Sequence, residues 1–206
     1  MKTIRLIVAL LLVVLAASVT ALYAADADDP AGKKEKKSES IFYTFAGLIG
    51  EGGSNHIVYS DWVTDKWETI EYNGSYGGGG LVLALYADHL IGEFSLQYIS
   101  SANAGTPDVS ASYTMATALG KFAWFFFDVV GVAGGVGMYL EIPPFKKDYT
   151  GGAGFAGSIG LVFNLGTDVK IFVDGIARTG RFGFGEESTI TSFGGRIGVM
   201  YNVGRL

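Results

Sequence analysis

A chain of 206 residues with 49% apolar residues, 31 glycines and no cysteine has room for one core, and it excludes both a disulfide framework and a thiolate metal site. Net charge is −5, and removing Lys2 and Arg5 with the leader described next makes it −7. That acidic balance argues against nucleic acid as a partner.

Residues 1–25 carry Lys2 and Arg5, then the uncharged stretch Leu6 to Val19, then small residues at Ala21, Ala24 and Ala25. This is the three-part layout of a secretory signal peptide, with cleavage after Ala24 or Ala25 and Ala27 as the alternative; an uncleaved anchor helix is the competing reading. Past the leader no apolar run is long enough for a membrane-crossing helix. Residues 26–40 form a polar tail with Lys33, Lys34, Lys36 and Lys37 around Glu35. It reads as disordered, or as a basic patch resting on anionic lipid or wall polymer.

From residue 41 to 206 the chain alternates with a strand's period of two. The first strand sets Ile41, Tyr43, Phe45, Gly47 and Ile49 against Phe42, Thr44, Ala46 and Leu48, both rows fairly apolar. Glu51 to Gly78 reads as the largest surface loop, its halves pairing as a hairpin around Thr64, Asp65 and Lys66, with Tyr59, Trp62, Trp67 and Tyr72 as its contact residues. The second strand puts Leu81, Leu83 and Leu85 on one face and Val82, Ala84 and Tyr86 on the other, before a short turn at Asp88 and His89. The third, Ile91 to Ile99, opposes Phe94, Leu96 and Tyr98 to Glu93, Ser95 and Gln97. A row of Glu, Ser and Gln cannot face hydrocarbon, so it faces an enclosed interior.

In the fourth strand Val109, Ala111, Tyr113, Met115 and Leu119 read as outward, interrupted by Thr117, and Ser110, Ser112, Thr114, Ala116, Ala118 and Gly120 as inward. Phe122 to Phe127 follows as an interfacial aromatic girdle beside a turn. The fifth strand, Val130 to Ile142, puts Val130, Val132, Val136, Met138 and Leu140 outside, with Gly131, Ala133, Gly135, Gly137, Tyr139 and Glu141 inside. Pro143 and Pro144 open a loop that cannot continue a ladder. The sixth strand alternates regularly from Phe155 to Leu165, and Gly166, Thr167 and Asp168 make a tight turn. The seventh sets Ile171, Val173, Gly175 and Ala177 against Lys170, Phe172, Asp174, Ile176 and Arg178. After a polar loop, Phe193, Gly195, Ile197, Val199, Tyr201 and Val203 alternate with Gly194, Arg196, Gly198, Met200 and Asn202.

The expected fold is therefore all-β: an eight-stranded antiparallel up-and-down transmembrane β-barrel, long connections after odd strands and short ones after even strands. A ten-strand count is the alternative if the halves of the long loop enter the membrane. A lipocalin-type barrel would place charges outside and apolar residues inside, the reverse of these rows. Glu93, Lys170, Asp174, Arg178 and Arg196 form the interior polar set, with Asp174 set to pair with Arg196 across the last hairpin. They read as a structural network filling the lumen, or as a gate whose pairs break to pass a solute.

Barrel 41–206 resembles the small eight-stranded outer-membrane proteins of the OmpW, OmpX and OmpA-barrel group. The local motif is Arg196, Gly198, Tyr201 and Val203, which looks like the C-terminal signal read by the barrel-assembly machinery, although the chain continues through Gly204, Arg205 and Leu206. The resemblance implies a bacterial outer-membrane location reached by the general secretory route, with outer-membrane lipid and the assembly machinery as partners. It also implies an OmpW-like conduit or pocket for small hydrophobic solutes, suggested by apolar inner residues at Phe42, Leu48, Tyr86, Phe172, Ile176 and Met200. The alternative is an OmpX-like structural barrel that contacts host surface ligands through its loops. Some small barrels are enzymes, and these need a base near a nucleophile. Here the histidines are His56, close to Ser54 in the long loop, and His89, in a turn at the other end; neither catalysis, nor a cofactor, nor a metal is expected.

Overall fold

β-branched and aromatic residues alternating with small or polar ones favour strands that are half lipid-facing and half enclosed. The computed structural model describes residues 42–63, 66–103, 111–142, 152–181 and 189–205. Its strands are β1 (Tyr43–Val63), β2 (Lys66–Ala87), β3 (Leu90–Asn103), β4 (Ala111–Phe127), β5 (Val130–Ile142), β6 (Ala153–Leu165), β7 (Val169–Arg181) and β8 (Thr189–Arg205). Each pairs with the next, and β8 pairs with β1 to close the barrel; every pairing is antiparallel. The leader, the tail and the segments 104–110, 143–151 and 182–188 lie outside the described residues.

The register fixes the bore. Following directly opposed residues round the ring from Gly47 leads through Val82, Ser95, Thr117, Tyr139, Gly154, Gly180 and Ile190 back to β1 at Ile57, a stagger of ten residues. Eight strands with that stagger tilt by about 40° and put the backbone about 8 Å from the axis. Side chains from opposite walls therefore meet at the centre.

Short turns at Asp88 and His89, at Asp128 and Val129, and from Gly166 to Asp168 define one end. Each is tied to the next strand but one: Ala123 N donates to His89 O at 2.6 Å, Asn164 N to Val129 O at 2.7 Å, and Asn202 N to Asp168 O at 2.8 Å. Gly166 has φ +79°, which a side chain rarely adopts. The longer connections all leave the opposite, loop end.

Outside, the wall is oily. Val136 is 75% exposed, Phe155 69% and Ile159 68%, and Leu81, Ile197 and Val203 are exposed beside them. A band of this kind around a ring with no open sheet edge is a surface made for hydrocarbon. Inside, Glu51, Glu93, Lys121, Glu141, Asp174, Arg178 and Arg196 are all buried. The orientation expected from β2, β3, β5, β6, β7 and β8 is the one found.

Two strands depart from expectation, and two segments are more regular than expected. In β4 the rows are exchanged: Tyr113, Met115, Thr117, Leu119 and Lys121 are buried in the lumen, whereas Phe122 and Trp124 are exposed. The physical reason is volume, because the inner row of β5 offers only glycine at Gly135 and Gly137, directly opposite Lys121 and Leu119, and large residues must fill that side. The small outward residues of β4 are covered by bulky neighbours, as at Ala116 between Leu96 and Leu140. In β1, Leu48 faces outward at 67% exposure while Phe45 and Ile49 are buried, because that row continues into the enclosed Glu51 and Asn55. Phe42, expected inside with Leu48, precedes β1.

Residues 51–78 form the expected hairpin but not as an irregular loop, since β1 and β2 pair without a break from Tyr43 and Tyr86 up to Val63 and Lys66. Their Ile, Val, Tyr, Trp and Thr content is strand composition. Pairing of β1 with β8 ends at Val58, and pairing of β2 with β3 begins at Gly74, so among the described residues 59–63 pair only with β2 and 66–73 only with β1. The segment 122–127 is likewise the end of β4, with a bulge between Phe125 and Phe127.

Candidate functional site in the barrel lumen

The lumen is crossed at mid-height by a closed ring of four charges. Register sets Asp174 of β7 directly opposite Arg196 of β8. Arg196 donates from Nε to Asp174 Oδ1 at 2.8 Å and from Nη2 to Asp174 Oδ2 at 2.6 Å, a two-pronged pairing that only a guanidinium makes. Its Nη1 reaches across the bore to Glu93 Oε1 of β3 at 2.8 Å. Lys121 of β4 completes the ring, with Nζ 2.5 Å from Glu93 Oε2 and 2.8 Å from Asp174 Oδ2. Two cations match two carboxylates, which is the condition for burying any of them. The Phe172 ring lies against both cations, 5.4 Å from Lys121 Nζ and 5.7 Å from Arg196 Cζ. Gly198 makes room for it: a Cβ there would stand 2.2 Å from the ring.

A second pair lies toward the loop end, where Arg178 donates from both terminal nitrogens to the Glu51 carboxylate, Nη2 to Oε2 at 2.7 Å. Asn55 Nδ2 donates to Ser101 Oγ at 2.8 Å on the same side. Around these groups pack Tyr76, Ile99, Tyr113, Met115, Leu119, Tyr139, Ile176 and Ile190. Among the described residues a cavity of about 10 Å³ lies here, lined in part by Asn55, Tyr139 and Arg178, with room for no more than about one water.

Toward the turn end the filling is apolar, with Phe45, Val82, Tyr86, Ile91, Val162, Phe172 and Met200 in one cluster. Lys170 sits here, apart from the ring. Its Nζ donates to Asn164 Oδ1 at 2.5 Å and lies over Tyr86 at 4.6 Å, Phe45 at 5.0 Å and Phe125 at 5.9 Å. The five interior charges picked out in the sequence thus divide three ways: Glu93, Asp174 and Arg196 meet, Arg178 pairs elsewhere, and Lys170 rests among aromatic rings. Lys121 and Glu51 were missed. Lys121 lay one residue past the expected end of its strand, and Glu51 lay in the expected loop.

Of the assembly motif, Arg196 and Gly198 face the lumen, and Tyr201 and Val203 are exposed. The backbone sets Trp62 opposite Trp67, Tyr59 opposite Ile70 and Tyr72 opposite Ile57; the side chains of Tyr59, Trp62, Trp67 and Tyr72 lie outside the described residues. His56 Nδ1 is 2.9 Å from Asn73 Oδ1 on the hairpin, whereas His89 Nδ1 is 3.0 Å from Ala123 O at the turn end, its ring stacked on Trp124. No cluster of three or more metal-ligating side chains occurs among the described residues.

No protein-family model and no curated protein matches this chain. Among solved structures it is similar to Ail, the attachment invasion locus protein of Yersinia pestis, at 15% identity and TM-score 0.37, over 82% of this chain and 99% of that one. It is also similar to the NanC porin, at 10% identity and TM-score 0.30, over 78% of this chain and 100% of that one. A third is the outer-membrane protease OmpT of Escherichia coli, at 7% identity and TM-score 0.32, over 80% of this chain and 97% of that one.

Proposed function

We propose that this chain is a bacterial outer-membrane barrel, exported by the general secretory route, whose lumen is shut at rest and whose working surface is the loop end with its projecting β1–β2 hairpin. The observation that carries this is the filled bore. A ring of four matched charges, an apolar cluster below it and a cavity of only about 10 Å³ above it, all among the described residues, support a bore closed to solutes. In this reading the contact residues are Tyr59, Trp62, Trp67 and Tyr72, presented to a ligand on another surface, and no catalytic step is involved. Lipid solvates the outer wall, and the assembly machinery reads Arg196, Gly198, Tyr201 and Val203 on β8.

One feature favours the OmpW-like conduit instead: the lumen has an apolar cluster on each side of the charge ring, which would solvate a small hydrophobic molecule once the ring opened. Conductance of the purified protein in planar bilayers separates the two. The proposal expects no discrete steps from the wild type, with steps appearing only in Asp174→Ala. Discrete steps from the wild type would overturn it in favour of the conduit.

A further inference from the structure

The outer wall is not uniformly filled. Val136, Met138 and Phe155 on one side and Phe193 on the other bound an apolar groove of about 680 Å³ on the outer face of β5 to β8. Register explains it: one row of directly opposed residues reads Val136, Gly157, Ala177 and Phe193, so two bulky side chains stand at the ends with only a hydrogen and a methyl between them. The next row toward the loop end reads Met138, Phe155, Thr179 and Thr191, which ends the floor in two hydroxyls. The next row toward the turn end sets Ile159 beside Gly175 and Gly195, and these glycines continue the floor. Arg178 also borders the groove, but its guanidinium points into the lumen onto Glu51, so it offers the outside no charge.

The barrel's own packing does not require this recess. A Cβ on Gly157 would come no nearer than 3.7 Å to its surroundings, one on Gly175 no nearer than 3.8 Å, and one on Gly195 would meet nothing within 4 Å. An inward glycine differs, since a Cβ on Gly160 would stand 2.2 Å from Val173 O. The recess is therefore open only to the outside, and it is continuous with the wall that meets hydrocarbon. Its shape selects the occupant. From Thr179 to Gly175 the floor runs about 13 Å along the strand, close to the depth of one leaflet at about 15 Å. A second barrel seated here would ride on Phe155, Ile159 and Phe193, all exposed, and the empty floor beneath would forfeit its contacts. A single alkyl chain is narrow enough to reach that floor.

We infer that this groove holds one acyl chain of a membrane lipid from the loop-side leaflet. The chain lies over Gly157, Ala177 and Gly175 between Phe155 and Phe193, and its ester carbonyl accepts a hydrogen bond from Thr179 or Thr191. Such a chain gains no hydrophobic energy on leaving the bilayer for the groove, so packing and the hydroxyls alone hold it, and a preference of about tenfold over the rest of the wall is expected. The inference rests on the lipid-facing wall and is independent of whether the lumen is shut.

Protein folded into dimyristoylphosphatidylcholine vesicles and then moved into detergent micelles should keep one lipid per chain in native mass spectra. Ala177→Leu, which fills the floor from outside, should lower the lipid-bound fraction about tenfold. Gly92→Leu, at an exposed and equally open position on β3, should leave that fraction unchanged. Thr179→Val combined with Thr191→Val should lower it without filling the groove, and gel migration reports whether each variant is folded. In the wild type alone, phosphatidylcholine with a photoreactive group on its acyl chain should label β7 about ten times more than β2, where Leu81 and Leu83 are exposed to the same lipid. No retained lipid, equal retention by wild type and Ala177→Leu, or dimers that Ala177→Leu abolishes would overturn the inference. Even labelling of β2 and β7 would overturn it as well, and it needs no variant to fold. None of these results bears on the conductance that decides the shut lumen.

Discussion

Arg196→Met tests whether the charge ring holds the barrel together. Arg196 is 2% exposed and makes three charge-assisted hydrogen bonds of 2.6–2.8 Å to Asp174 and Glu93. Methionine keeps much of the stem volume and removes the charge, leaving two buried carboxylates to share Lys121. Removing one member of a buried ionic set typically costs about 3–5 kcal/mol, mostly as the penalty for the charge left behind. Asp174→Asn in the same chain restores the balance as one Glu93–Lys121 pair, so the double variant should recover roughly 1–3 kcal/mol of the loss. Urea titration of protein folded into lipid vesicles, followed by tryptophan emission and by the shift in gel migration between folded and unfolded chains, gives both quantities. A cost below about 1 kcal/mol for Arg196→Met, or an Asp174→Asn effect that simply adds to it, would mean that the ring is not an energetic unit.

Three further outcomes follow from the wall and its packing. Ile159→Arg, at the middle of β6 on the outer face, should cost about 2–4 kcal/mol in the same titration, and a cost near zero would deny that this face meets hydrocarbon. Gly198→Ala places a Cβ 2.2 Å from the Phe172 ring and should cost about 1–3 kcal/mol, most of it relieved by Phe172→Leu; an unrelieved loss would place the strain elsewhere. With Trp62→Phe and Trp67→Phe removing the other tryptophans, Trp124 emission should be quenched more by nitroxide near the lipid headgroup than at the chain end; the opposite order would rule out the interfacial girdle.

Where one face carried ionised or amide groups, both strand and orientation were legible. Glu93, Ser95 and Gln97 settle β3, Asp174 and Arg178 settle β7, and Arg196 settles β8. The opposition of Asp174 and Arg196 was also legible, because the last hairpin pairs near neighbours in sequence. Contacts across the bore were not. Glu93 and Arg196 lie 103 residues apart, and only the stagger of the closed ring brings them together. The hairpin around Thr64, Asp65 and Lys66 was legible, but its regularity was not, because its glycines and polar residues look like loop residues although pairing between the two halves satisfies their backbone.

The exchanged rows of β4 show which signal decides orientation. Tyr113, Met115 and Leu119 look like a lipid face beside Ser112, Thr114 and Ala118, and on transfer scales each Leu-like residue favours lipid by only about 0.3–0.6 kcal/mol. Lys121 shares their parity, and a lysine at membrane depth costs about 2.5–3.5 kcal/mol, more than all three apolar residues return. Thr117 in the same row tips the balance further. The row therefore turns inward, where Glu93 and Asp174 match the lysine and the glycines of β5 leave room for the leucine. The same arithmetic places Glu51 and turns Leu48 outward on β1. In a bore this narrow, the most apolar row is a poor guide to the lipid side. A single charge of known parity is a better one.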